Sequence, residues 1–140
     1  MVYLATIAQT KRVLLPELAE ATDAPESFLS KVLQALTRAN LISSRRGRFG
    51  GFAILPQGCA ASMHQVIEAV DGPICLNMCL SAGRGCDRSS WCPAHPVWAR
   101  AQQAMVSVLK QVSVAELAAQ STPSRFRHSN LISFAPMRSR

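Results

Sequence analysis

Leu15-Pro-Glu-Leu-Ala-Glu-Ala-Thr-Asp-Ala-Pro-Glu-Ser-Phe-Leu-Ser-Lys-Val-Leu-Gln-Ala-Leu-Thr-Arg-Ala-Asn40 holds two helical stretches and the short gap between them. Pro16 suits a first helical turn, where a missing N–H leaves no bond unmade, and Leu15, Leu18 and Ala19 share one side. A short helix is expected as far as Thr22. Thr22-Asp-Ala breaks it, and Pro25 stands near the first position of a second helix. There Phe28, Leu29, Val32, Leu33, Leu36 and Leu41 recur at helical spacing as the inner face, leaving Glu26, Ser27, Ser30, Lys31, Gln34 and Arg38 on the other side. Asn40, which tolerates the left-handed conformation, closes the helix. Two helices joined by a short turn read as a helix-turn-helix.

Downstream, Ser43-Ser-Arg-Arg-Gly-Arg-Phe-Gly-Gly-Phe-Ala-Ile-Leu-Pro56 places Arg and Gly ahead of an alternating Phe52 and Ile54. It reads as a β-hairpin with a basic tip, the wing of a winged helix. Arg45, Arg46 and Arg48 can neutralise phosphates or enter a minor groove. Ser62 then caps a short amphipathic helix to Val70, with Met63, Val66, Ile67 and Val70 inward and His64 expected on the exposed side. Upstream, the apolar run from Met1 to Ala8 has no N-cap and reads as the second half of a helix whose beginning is absent.

After Asp71-Gly-Pro comes Cys79-Leu-Ser-Ala-Gly-Arg-Gly-Cys86-Asp-Arg-Ser-Ser-Trp-Cys92-Pro-Ala-His95. Thiolates and imidazoles are the ligands that soft and borderline metals select, and Gly83 and Gly85 let the loop fold back, so a metal or iron-sulfur site is expected. Four of the five cysteines lie between positions 75 and 92, a crowding that in a reducing compartment favours metal or redox chemistry over structural disulfides. Cys59 reads as a small core residue and Cys75 as a spare, partly buried thiol. From Val97 to about Val112 the chain is helical again, and Trp98, Ala101, Met105, Val108 and Val112 form a coiled-coil-like seam suited to pairing with a second copy. Val114-Ala-Glu-Leu-Ala looks like a last turn of helix, and residues 121–140 read as a disordered basic tail.

Length and composition fit this reading. The 140 residues, 49% of them apolar, suffice for a modest core, and a net charge of +7 points to an anionic partner, nucleic acid first. The early apolar run is too short to span a bilayer and follows no basic segment, so neither a signal peptide nor a membrane helix is supported and a cytoplasmic protein is expected.

Phe28-Leu-Ser-Lys-Val-Leu, Arg45-Arg-Gly-Arg-Phe-Gly-Gly-Phe, Ala69-Val-Asp-Gly-Pro and the three cysteines followed by His95 and Trp98 together resemble the Rrf-two family of winged-helix transcription regulators. The likeness runs from about Val2 to Ala119, and the iron-sulfur members of that family include IscR-type and NsrR-type repressors. The resemblance implies that Cys79, Cys86 and Cys92 ligate a cluster and that His95 falls where the IscR type completes a 2Fe-2S site. It also implies that Pro25, Ser27, Ser30 and Lys31 face bases and phosphates, with Arg46 reaching the minor groove. Some positions depart from the pattern. Ser30 stands where a glutamate is usual, which leaves operator preference open; Phe49 replaces a wing-tip glycine; and the Cys79 to Cys86 interval is one residue longer than in IscR. In NsrR-type members, a segment ahead of the position of Met1 supplies an acidic ligand to the partner's cluster. On the sequence as it stands that ligand is missing, which favours 2Fe-2S over 4Fe-4S and makes His95 the conditional fourth ligand.

The expected architecture is mainly α with a small β-hairpin wing. Residues 1–72 form a winged helix-turn-helix, 73–96 a cluster-binding loop, 97–120 a dimerisation helix and 121–140 a tail. The expected function is a homodimeric, DNA-binding repressor on a palindromic operator, switched by a cluster that senses redox state, nitric oxide or iron and cluster supply. A structural zinc site and a cluster-free thiol switch use the same ligand set. An electron carrier or thiol oxidoreductase is the remote alternative, since there is no Cys-x-x-Cys pair, nucleotide loop or acid/base constellation.

Overall fold

The computed structural model describes residues 1–7, 11–47, 49–81 and 86–121. It contains α1 (Val2–Thr6), α2 (Leu15–Thr22), α3 (Glu26–Arg38), β1 (Ile42–Arg45), β2 (Gly51–Ile54), α4 (Pro56–Ala60), α5 (Met63–Asp71), a 3-10 turn (Met78–Leu80), α6 (His95–Gln111) and α7 (Val114–Ala119). This is the expected winged helix, mostly helical with one antiparallel hairpin. The Leu14 N–H donates to the Glu17 carboxylate at 2.9 Å and so starts α2, and Asp23 ends it in the left-handed region at φ 51°. Pro25 caps α3, and Asn40 turns the chain after it at φ 57° while the Leu41 N–H reaches back to Leu36 O at 3.0 Å.

The hairpin pairs Ile42 with Ile54 and Arg45 with Gly51. A further isolated bridge joins Val13 to Phe52 by two backbone bonds of 2.9 and 2.8 Å, so that β2 is bonded to β1 and, at Phe52, to Val13 as well. That position shields Ala53 as well as Ile54 and leaves Phe52 half-buried, so the simple alternation expected of Phe52 and Ile54 is blurred. Gly51 sits at φ 115°, and a Cβ there would come within 2.7 Å of Val13 O; only glycine fits the bridge.

Leu4, Val13, Leu18, Leu33, Leu36, Leu41, Ile42, Ile54, Ala61 and Val114 form one core. Val114 belongs to it because the chain breaks after α6 and returns: the Met63 N–H donates to Val112 O and the Val114 N–H to Ala61 O, each at 2.9 Å. Ser113 and Glu116 form the box that starts α7, which packs on α1 and α4.

Two expectations about side-chain burial are corrected. Phe28 is 58% exposed, since the first turn of α3 projects beyond the core and burial becomes complete only from Leu33 onward. His64 is buried, since α5 packs against both α3 and α6 and so hides a wider arc than a one-sided helix would. Its Nδ1 lies 3.2 Å from Glu68 Oε2, which gives the buried imidazole a polar partner. The Ser62 cap is as expected, its hydroxyl accepting from the Gln65 N–H at 3.3 Å.

Candidate functional site

Two regions hold the candidate functional residues. On the winged helix, α3 begins beside Pro25 and exposes Ser27 and Lys31, while Ser30 is half-buried and its hydroxyl accepts from Gln34 Nε2 at 3.4 Å. Arg45 and Arg46 are exposed at the end of β1; Arg48 lies outside the described residues. Arg12, which sequence reasoning missed, links the wing to the segment ahead of α2. Its guanidinium donates to Gly51 O at 3.1 Å and to Ser43 Oγ at 3.2 Å, tying the segment before α2 to both hairpin strands. The basic pair Lys11-Arg12 beside the apolar Val13 was the only signal in the sequence.

The second region is the cysteine-rich segment. Cys79 lies half-buried on the 3-10 turn, Cys86 and Cys92 are half-buried beyond it, and His95 is the first residue of α6. Backbone bonds from Ser89 N to Cys86 O, Cys92 N to Arg88 O and His95 N to Cys92 O wind this stretch into successive turns that run into α6. The Leu76 N–H donates to Gln102 Oε1 at 3.0 Å, fastening the front of the segment to the middle of the same helix. The Arg88 guanidinium lies 5.9 Å from the centroid of the exposed Trp91 ring. None of Cys75, Cys79, Cys86 and Cys92 is in a disulfide. Cys75 is exposed and not partly buried as expected: it lies in the loop ahead of the 3-10 turn, where its thiol donates to Asn77 O at 3.0 Å.

Three thiols and an imidazole suit zinc or an iron-sulfur cluster chemically. Among the described residues, no three His, Cys, Asp or Glu side chains converge as a group able to hold a metal ion. The four expected ligands thus share one segment without being gathered. Residues 82–85, with Gly83 and Gly85, lie outside the described residues.

Helix α6 starts at His95, two residues ahead of the expected Val97, with Pro96 in its first turn. His95, Ala99, Gln102, Val106 and Leu109 form its half-buried stripe toward α5 and the 3-10 turn. Of the expected seam, Trp98, Ala101 and Val108 are exposed, while Met105 and Val112 are half-buried.

A family profile described as Rrf2, iron-dependent transcriptional regulator, matches residues 1–120. The chain belongs to the Rrf2 family. An HTH-type transcriptional regulator of Mycobacterium tuberculosis is 31% identical to this Rrf2-family chain over 123 residues, spanning 88% of it and 76% of the relative. The HTH-type transcriptional regulator IscR of Klebsiella pneumoniae is 26% identical over 117 residues, covering 84% of this chain and 71% of its own length. Among solved structures, T. potens IscR superposes with a TM-score of 0.67 at 18% identity, over 89% of this chain and 82% of that one. CymR, the global cysteine regulator of B. subtilis, gives 0.66 at 22% identity, over 86% and 88%. These two structural likenesses bear on the fold. The family match and the HTH-type relatives make the protein a DNA-binding transcriptional regulator of the Rrf2 family; those relatives are transcriptional regulators. No helix among the described residues is long and apolar enough to cross a membrane.

Proposed function

We propose that this Rrf2-family regulator is a cytoplasmic homodimeric repressor whose grip on a palindromic operator is switched by an iron-sulfur cluster, 2Fe-2S in preference to 4Fe-4S, held by Cys79, Cys86, Cys92 and His95. The observation that carries this reading is the attachment of the cysteine segment: it follows the winged helix and is fastened to α6 through the Leu76–Gln102 bond and through His95, where that helix begins. Bound there, a cluster supplies iron that oxidants and nitric oxide attack, and it closes the segment by ligation.

The chain's own residues do the rest. Residues 1–72 present Pro25, Ser27, Ser30 and Lys31 to bases and phosphates of the major groove, and Arg45, Arg46 and Arg48 to the backbone and minor groove. Trp98, Ala101, Met105, Val108 and Val112, within residues 97–120, pair with the same helix of a second copy and set the distance between the two α3 helices. Ligands in residues 73–96 that hold or release the start of α6 shift that distance. A differential of about 1.4 kcal/mol between the two settings already changes occupancy ten-fold. Residues 121–140 add nonspecific positive charge.

A cluster-free thiol switch is the second reading, favoured by one observation: the three thiols and His95 are not gathered among the described residues. Zinc is the other occupant of the same ligand set. Cys92→Ala decides between them when the protein is prepared without oxygen. The cluster reading expects loss of the visible absorption together with changed operator affinity. Retained absorption and unchanged binding would sink it.

A further inference from the structure

The wing ends in an aromatic side chain that phosphate neutralisation does not use. The Gly50 N–H donates to Gly47 O at 2.8 Å, closing the turn at the hairpin tip. Glycine holds both ends of that turn. Gly47 sits at φ +99°, and a Cβ on Gly50 would collide with Arg45 O and lie 2.8 Å from Gly47 O. Phe49 therefore stands at a corner of a tightly closed turn. At 85% exposure it is the most exposed large apolar side chain among the described residues, with Arg45 and Arg46 exposed just before it in the hairpin.

A largely exposed phenyl ring with two arginines just before it in the hairpin suits a ligand of matching chemistry. The cations suit a phosphate backbone, and the ring suits the apolar faces of stacked bases, which become available where a minor groove is opened. We propose that Phe49 enters the minor groove with the wing and wedges between two stacked base pairs. Operator DNA is then kinked beneath each wing, and the sequence selected there is an easily unstacked pyrimidine–purine step, chosen without any hydrogen bond to a base edge. The inference rests on the operator-binding reading above.

The test uses the full chain and a duplex that the wild-type protein selects from a random-sequence pool, carrying 2-aminopurine at successive positions across each half-site. With wild type, fluorescence is expected to rise at one step per half-site, and the duplex to bend. Phe49→Ala is expected to abolish the rise and weaken binding by about ten-fold or more, the range of losing one base–aromatic stack. Its thermal midpoint should match wild type, since the ring is exposed, and Phe49→Leu should restore part of both signals as a smaller apolar wedge. A selected duplex bound equally by wild type and Phe49→Ala, with no unstacked step, overturns the wedge and leaves operator binding standing. Failure of wild type to select any duplex overturns both.

Discussion

Gly58→Ala sets two effects of opposite sign against each other. In an open helix the change would help, by about 1 kcal/mol of helix propensity. Gly58, however, is where α4 meets the backbone ahead of the wing. A Cβ there would collide with Leu41 O and lie 2.9 Å from the Leu41 carbonyl carbon and 3.1 Å from Ile54 Cγ1. Restoring ordinary contact at 3.4 Å or more requires α4 to back away by more than an ångström. That movement stretches the bond from the Leu55 N–H to Leu41 O, now 3.1 Å, beyond useful range, and it loosens Leu41 and Ile54, both in the core. Overpacking costs about 1–3 kcal/mol and an unmade buried backbone bond about 1–3 kcal/mol, so the net after the propensity gain is a destabilisation of roughly 1–5 kcal/mol, centred on about 3 kcal/mol. For a chain of this length the thermal midpoint should fall by about 10 °C. Far-UV circular dichroism on the purified variant measures it. An unchanged or raised midpoint would refute the close approach of α4 to Leu41.

Arg12→Ala should lower stability by about 1–2 kcal/mol in thermal unfolding, because two bonds from a half-buried guanidinium are lost. Arg12→Lys should fail to restore it, since one ammonium cannot reproduce the fork, and full rescue by lysine would contradict that account. Lys31→Ala and Arg46→Ala should each weaken binding to all duplexes and reduce the slope of log K against log salt by about 1; an unchanged slope would remove that residue from the phosphate contacts. Glu116 gives a pH signature. Bonds from the backbone N–H of Ser113 and then from its hydroxyl hold the Glu116 carboxyl below its ordinary value of 4.5. The folded chain thus binds fewer protons there than the unfolded one, so the cap's contribution is complete above the unfolded value and is lost as pH falls through the depressed folded value. Glu116→Gln should flatten that part of the stability profile measured by denaturant titration, and an unaltered profile would show that the cap does not contribute.

How far the sequence carried depends on the range of the forces involved. The α2–α3 pair and its caps were legible because they rest on local rules: Pro16, Pro25 and Asn40 mark boundaries by backbone chemistry alone. The core positions Leu33, Leu36 and Leu41 followed from period, but Phe28 did not, because helical spacing gives an angle around an axis and not which turn a neighbour covers. His64 failed for the complementary reason: its polarity suggested solvent, whereas two helices enclose α5. Five-residue α4 is too short for a periodic signal, with only Pro56 to announce it. The Arg12 tether joins residues 39 positions apart, a separation no local pattern reports. In the cysteine segment, spacing singled out side chains of the types that ligate metals. Whether such side chains gather depends on tertiary placement and on ligation itself, which local sequence does not encode.

The central claim concerns what Cys79, Cys86, Cys92 and His95 hold and whether it governs DNA binding. The direct measurement is a preparation made without oxygen, on which the visible spectrum and the iron, sulfide and zinc contents are determined and binding to a selected palindromic duplex is measured before and after cluster removal. The account predicts a coloured dimer containing iron and sulfide whose affinity for the duplex changes when they are removed. A colourless, zinc-loaded protein that binds no duplex would contradict it.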